Sequence, residues 1–268
     1  MKKIYLIIAL AFVVLSNENV VSQDFEVAPV RVTFNIAPNE SQSKIVTVKN
    51  HGNKKETITL RMLDFLIQRQ GRMEILPAGS TRNSIASWIN LNPMMVELQP
   101  NESANIQVNL QAPLDDYTAK WGILSFATAA EQTSFSVDRD LQTGMSVSGR
   151  IDIFITYNPT TGDVGNVEIG GFQEIVSSKS DERRFSVNID NTGEKILNSK
   201  VHLIASDMST GKEYKFKTIE VALYPQAART VELVMTKTLP PGRYALAAIL
   251  DYPGSTSLKG TQIIINVE

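Results

Sequence analysis

Residues 144–159 read GMSVSGRIDIFITYNP, an almost unbroken alternation of apolar and polar side chains. Met145, Val147, Ile151, Ile153, Ile155 and Tyr157 fall on one face, with Gly149 the one gap in the series. Ser146, Ser148, Arg150, Asp152, Thr156 and Asn158 fall on the other, where Phe154 is the single apolar residue. Successive side chains of a strand point to opposite sides of the pleat, so the pattern demands a strand with one buried face. Most strands run about five or six residues, so half of this one is expected to extend past its own core. The Met145 half would then offer a partner apolar side chains and a free backbone edge. That is the property of a binding protein rather than an enzyme.

The remaining chain repeats this grammar. Residues 25–36 alternate in part and carry Pro29, which marks an edge or a bend. Strand-like runs follow at 44–49, 56–65, 73–76, 87–91, 95–98, 103–110 and 120–128, separated by polar turns. Residues 158–165 (NPTTGDVG) cluster turn formers, and the series then restarts at 167–175, 185–189, 201–205, 214–221, 230–234, 244–251 and 260–267. No convincing amphipathic helix interrupts it. Short strands at intervals of about ten residues predict an all-β chain of two immunoglobulin-like β-sandwich domains in series, at 23–159 and 160–268.

Residues 1–22 read as a signal peptide. Lys2 and Lys3 precede an apolar run over 4–15, too short to span a bilayer, and small residues surround Ser22. Cleavage is expected between Ser22 and Gln23, and the absence of cysteine excludes lipoprotein anchoring. The leader removes two lysines and one glutamate, leaving 24 basic against 27 acidic residues. That balance argues against a nucleic-acid partner, which needs a basic surface. No second apolar run approaches membrane-spanning length, so no direct membrane anchor is expected. Without disulfides, stability must come from apolar burial. The expectation is a periplasmic protein, with the cell surface as the alternative location.

The first domain resembles the periplasmic pilus-assembly chaperones of chaperone–usher systems. Residues 30–34 (VRVTF) look like that family's first strand, with its cleft arginine, and 45–50 (IVTVKN) like its second strand. Residues 93–108 (PMMVELQPNESANIQV) resemble its proline turn and β-branched return, and 151–159 its closing strand. The resemblance covers residues 25–160. It implies that the closing strand lends an open edge to an incomplete secreted or surface protein, pairing main chain to main chain. Met145, Val147 and Gly149 would then be the partner-binding positions. The family's arginine and lysine bind the client's terminal carboxylate. Arg31 matches the arginine, whereas Asp152 and Phe154 lie where the lysine is expected, and Arg150 is the nearest cation. The second domain resembles generic bacterial immunoglobulin-like modules, through 188–193 (NIDNTG) and 239–244 (LPPGRY).

Little else in the chain points to chemistry. His51 and His202 lie in different predicted domains, there is no cysteine, and no nucleophile, acid/base pair or ligand cluster stands out. No catalytic residue, metal or cofactor is therefore assigned. Asp115–Asp116 reads as a solvated loop, as does Asp138–Arg139–Asp140, with a charged rim to the client groove as the alternative for the latter. Trp88 and Trp121 read as core residues, and one of Met94 and Met95 as exposed. The leading function is a chaperone-like protein that binds an extended segment of a client by strand addition. The alternatives are a structural subunit of an envelope secretion or surface-assembly complex, with an outer-membrane assembly as partner, and a carbohydrate-binding surface module.

Overall fold

The computed structural model describes residues 25–128, 149–162, 166–179, 181–236, 239–255 and 258–268. The leader, Asp138–Arg139–Asp140, Met145 and Val147 lie outside the described residues. Strands β1 (Phe25–Ala28), β2 (Arg31–Phe34), β3 (Ser41–Asn50), β4 (Glu56–Ile67) and β5 (Met73–Pro77) open the chain. A single 3-10 turn at Ala86–Trp88 leads to β6 (Ile89–Asn92), followed by β7 (Met95–Leu98), β8 (Ser103–Gln111), β9 (Lys120–Thr128) and β10 (Arg150–Tyr157). One sheet has the order β1-β3-β8-β6; the other runs β2-β10-β9-β4-β5, with β7 also paired to β4. Alternating residues of both sheets meet between them: Phe25, Val46, Val48, Ile106 and Val108 from one, Ile58, Leu124, Phe126, Ile153 and Ile155 from the other. Burial of such side chains stabilises by about 1.5–3 kcal/mol each, which is what a chain without cysteine depends on.

The second sandwich comprises β11 (Val167–Ile175), β12 (Glu182–Asn191), β13 (Leu197–Asp207), β14 (Glu213–Lys215), β15 (Ile219–Leu223), β16 (Ala227–Thr236), β17 (Gly242–Asp251) and β18 (Lys259–Val267). Its sheets are β11-β12-β16 and β14-β13-β17-β18, with β15 also on β13. The run at 214–221, read in the sequence as one strand, is two. Both halves pair with β13, β14 opposite Ile204–Ser206 and β15 opposite Leu197–Val201. Trp88 and its neighbours also depart from the expected strand at 87–91, forming the 3-10 turn before β6. Among the described residues no helix is long and apolar enough to cross a membrane.

The two sandwiches close one corner in the same way. Asn50 ends β3 and begins Asn50-His51-Gly52; Asn191 ends β12 and begins Asn191-Thr192-Gly193. Both are buried, and each side-chain carbonyl accepts the N–H two residues on, at 2.8 Å from Gly52 and 3.0 Å from Gly193. Each amide then donates inward, Asn50 to the carbonyls of Lys54 and Leu98 and Asn191 to those of Lys195 and Leu223. Asparagine suits this because its side chain mimics a turn of backbone. Tyr244 closes a second corner of the later sandwich, its hydroxyl donating to the Pro240 carbonyl at 2.9 Å. Replacing Asn191 by Ala leaves two buried carbonyls unpaired and is expected to destabilise by about 1–3 kcal/mol, measured by urea unfolding.

Tyr157 is fully buried at the end of β10, and its hydroxyl has no hydrogen-bond partner among the described residues. Burial, aided by the negative charge of Asp116, pushes the phenol up to about 12. A raised folded-state value favours the protonated form, so the contribution is intact below about pH 10 and is lost as pH rises through about 12. Tyr157→Phe removes an unsatisfied polar atom without changing the packing. It is expected to be neutral or stabilising at pH 7 and to flatten the loss of stability between pH 10 and 12, read from melting temperatures across that range.

Candidate functional site

Two features define the site, an open strand edge and the cleft where that edge ends. Pro29 has no N–H to donate, and the chain changes sheet there: β1 pairs with β3 in one sheet, β2 with β10 in the other. The β2 pairing is parallel and places Arg31 to Phe34 opposite Phe154 to Tyr157. Among the described residues, the first half of β10, Arg150 to Ile153, therefore pairs only with β9. The Gly149 carbonyl accepts the Thr128 N–H at 3.0 Å, whereas the Phe154 N–H donates to Val30 at 3.1 Å on the opposite side. Main-chain groups alternate sides along a strand, so the N–H and C=O of Arg150 and Asp152 face the open edge.

The predicted positions occupy different parts of this site. Gly149 sits at the inward register of β10, and a Cβ there would lie 3.3 Å from the Phe25 ring. The missing side chain is thus replaced by an aromatic ring from β1. Arg31 is exposed at the start of β2 with its guanidinium over the Phe154 ring, 5.5 Å from the centroid. Among the described residues it has no acidic partner. Arg150 instead grips Asp152 through two bonds of 2.8 and 2.6 Å. It lies four positions before Phe154, the register partner of Arg31, which places it about 13 Å away along the strand. The structure does not bring Arg31 and Arg150 together. It brings Arg31 to a cavity of about 360 Å³ whose other walls belong to the second sandwich, among them Asn198, Lys200, Glu220 and Ala222. Lys200 was not singled out in the sequence, because it reaches the cavity that Arg31 lines only across the domain junction.

That junction is held by aromatic packing. Phe154, the apolar exception on the outer face of β10, joins Phe65, Trp121 and Ile123 against Ile196 and Tyr224. Tyr224 meets Trp121 edge-on at 4.9 Å and Phe65 at 5.6 Å. The Trp121 indole N–H donates to the Phe65 carbonyl at 3.0 Å. Trp121 is therefore a junction residue, not part of either sandwich core as expected. Trp88 is only partly buried, edge-on to Tyr157 at 5.3 Å, with the Lys120 ammonium over its ring. Burial raises the Tyr224 phenol, while the positive charges of Arg31 and Arg229 pull it partly back. Polar contacts surround the cluster: the Asn158 amide pairs with both main-chain groups of Ile196 at 3.0 Å, Arg82 meets Glu194 at 3.0 Å, and the Thr230 N–H donates to Arg69 at 2.8 Å.

The other candidates have local roles. Asp116 is lowered despite burial, because Thr118 and Lys120 hydrogen-bond its carboxylate. His51 lies 2.8 Å from Glu26. Met94 and Met95 are both exposed, where the sequence reading expected one. Among the described residues no three His, Cys, Asp or Glu side chains gather as a metal site. Tyr224→Ala removes the ring that both sandwiches pack on. It is expected to cost about 3 kcal/mol in urea unfolding and to let the sandwiches tumble separately, read from NMR relaxation.

No family model matches the chain, and no curated protein matches it. Among solved structures it is similar to the class 5 fimbriae chaperone CfaA, at 14% identity and a TM-score of 0.49, covering 90% of this chain and 98% of that one. The E. coli chaperone DraB is 15% identical with a TM-score of 0.42, covering 89% and 98%. A chain of the CsuC–CsuE chaperone–tip adhesion subunit pre-assembly complex, from the archaic chaperone-usher Csu pili of Acinetobacter baumannii, is 12% identical with a TM-score of 0.42, covering 77% and 89%.

Proposed function

We propose that this chain is a periplasmic, pilus-chaperone-like binding protein that holds an extended segment of a secreted or surface protein by strand addition along β10. The observation that carries this reading is the edge left open among the described residues at Arg150 and Asp152, in line with β2 and ending at an arginine with no acidic partner among them. A client strand lying in line with β2 and parallel to β10 runs toward Arg31. Its C-terminal carboxylate, rather than its N-terminal ammonium, then meets the guanidinium. Met145 and Val147 supply the apolar side chains of the lent strand in this reading, and Gly149 marks where the chaperone's own core begins. The signal peptide delivers the chain to the periplasm, and the units are 23–159 and 160–268. No chemical step is part of this role.

A second reading, a structural subunit of an envelope assembly with an outer-membrane complex as partner, draws on the packed junction between the sandwiches. The two readings part at the edge. Asp152→Pro deletes an N–H that faces outward, at a position where an edge tolerates proline. Asp152→Ala removes the carboxylate that binds Arg150 but keeps that N–H. Strand addition predicts that Asp152→Pro weakens capture of co-expressed neighbouring secreted proteins by about five- to tenfold, while Asp152→Ala retains most of it. Equal capture by wild type and a folded Asp152→Pro variant would rule out the edge as the binding element and favour the structural reading.

A further inference from the structure

We propose that the outer face of the sheet formed by β3, β8 and β6 is a binding surface for a neutral glycan. It belongs to the sheet that does not contain β10, so it is separate from the open edge. Alternation decides which side chains it presents. Val46, Ile106 and Val108 are buried in the core, so their neighbours Ile45, Gln107 and Asn109 point outward. Register lines these up in rows across three strands: Ser43, Asn109 and Asn90 in one, Ile45, Gln107 and Asn92 in the next. A third row adds Thr47 and Asn105, joined by a hydrogen bond of 2.9 Å. The other amides, and Ser43, make no side-chain hydrogen bond among the described residues.

No side chain in these rows is charged. Lys44 turns the other way, with its ammonium over the Phe34 ring. The first charges along the face are Lys49 and Glu26, register partners at the far end of β3. The fold does not impose this neutrality. The outer face of β11, β12 and β16 in the second sandwich bears Glu168, Glu182, Arg184, Asp190 and Glu232.

Chemistry selects the ligand. Without cations the rows cannot hold nucleic acid or an acidic chain, and without acids they cannot hold a basic one. Ile45, 55% exposed, is their one apolar side chain, so they lack the apolar core of a protein interface. Amides and hydroxyls both donate and accept hydrogen bonds, as sugar hydroxyls do. The rows repeat at about 5 Å across the strands and about 7 Å along them. A chain of repeating hydroxyls laid on this array meets partners at each step. Ile45, in the middle row, offers an apolar contact to sugar-ring C–H groups.

The test probes an array of neutral and acidic oligosaccharides with the mature chain. The 15N-labelled protein is then titrated by NMR with the tightest neutral glycan. Neutral glycans are expected to bind and to shift the side-chain amide signals of Asn90, Asn92, Gln107 and Asn109. Gln107→Ala combined with Asn109→Ala is expected to weaken binding about tenfold, since each removes a hydrogen-bonding amide. Glu232→Ala, on the charged face of the second sandwich, is expected to leave binding unchanged. Binding of acidic glycans alone, or of none, overturns the proposal. Shifts that follow protein concentration rather than glycan also overturn it, and identify a second copy of the chain as the occupant. Undiminished binding by the folded double variant overturns this face as the site. Each of these outcomes leaves strand addition along β10 standing.

Discussion

The change of sheet at Pro29 is the constraint on which the rest of the site depends. Had the first strand continued on one sheet, it would have covered either all of the β10 edge or none of it. Because proline cannot donate to a ladder, the run divides, and β2 covers only Phe154 to Tyr157. Everything distinctive follows from that partial cover. Four main-chain groups at Arg150 and Asp152 stay outward, and Arg31 begins β2 at the boundary between covered and uncovered edge. An open edge is usually a hazard, managed with charge and short length. Here Arg150 and Asp152 place both signs of charge on it, and only a few of the described residues of β10 are left uncovered.

The second determinant is an outer sheet face that is apolar at one end. Along β10, β9 and β4 the residues facing away from the core grade from Arg150, Asp152 and Arg61 to Phe154, Ile123, Trp121 and Phe65. The polar end faces solvent; the apolar end demands cover and receives Tyr224 and Ile196 of the second sandwich. The burial that joins the sandwiches also walls the cavity beside Arg31. Junction and cleft are two sides of one packing solution.

Much of the fold could be read from residue patterns. The strands at 95–98, 120–128 and 167–175 stand where alternation placed them, and most of the others among the described residues lie within a few residues, because alternation reports local burial directly. Where the reading departed, burial was not local. Trp121 and Phe154 lie on an outer face, and only the presence of a second sandwich makes that face an interior. Residues 214–221 alternate like one strand, yet bend between two stretches of β13, which pattern cannot reveal. Arg31 could be singled out on its own strand, whereas Lys200 could not. The two lie 169 positions apart in the chain and come to line one cavity only through the junction. Met145 and Val147, singled out by the alternation at 144–159, lie outside the described residues.

The junction contacts have a mechanical consequence. Around the aromatic hub, the first sandwich grips the second through the β4–β5 tip at Arg69, through Arg82, and through Asn158 beside the linker. A single hinge leaves a bend free, and two attachments leave a twist. Three attachments set apart around a hub restrain both, as the legs of a tripod do. In the strand-addition reading the cleft is then a caliper locked at one opening, selecting what enters by reach and width rather than closing around it.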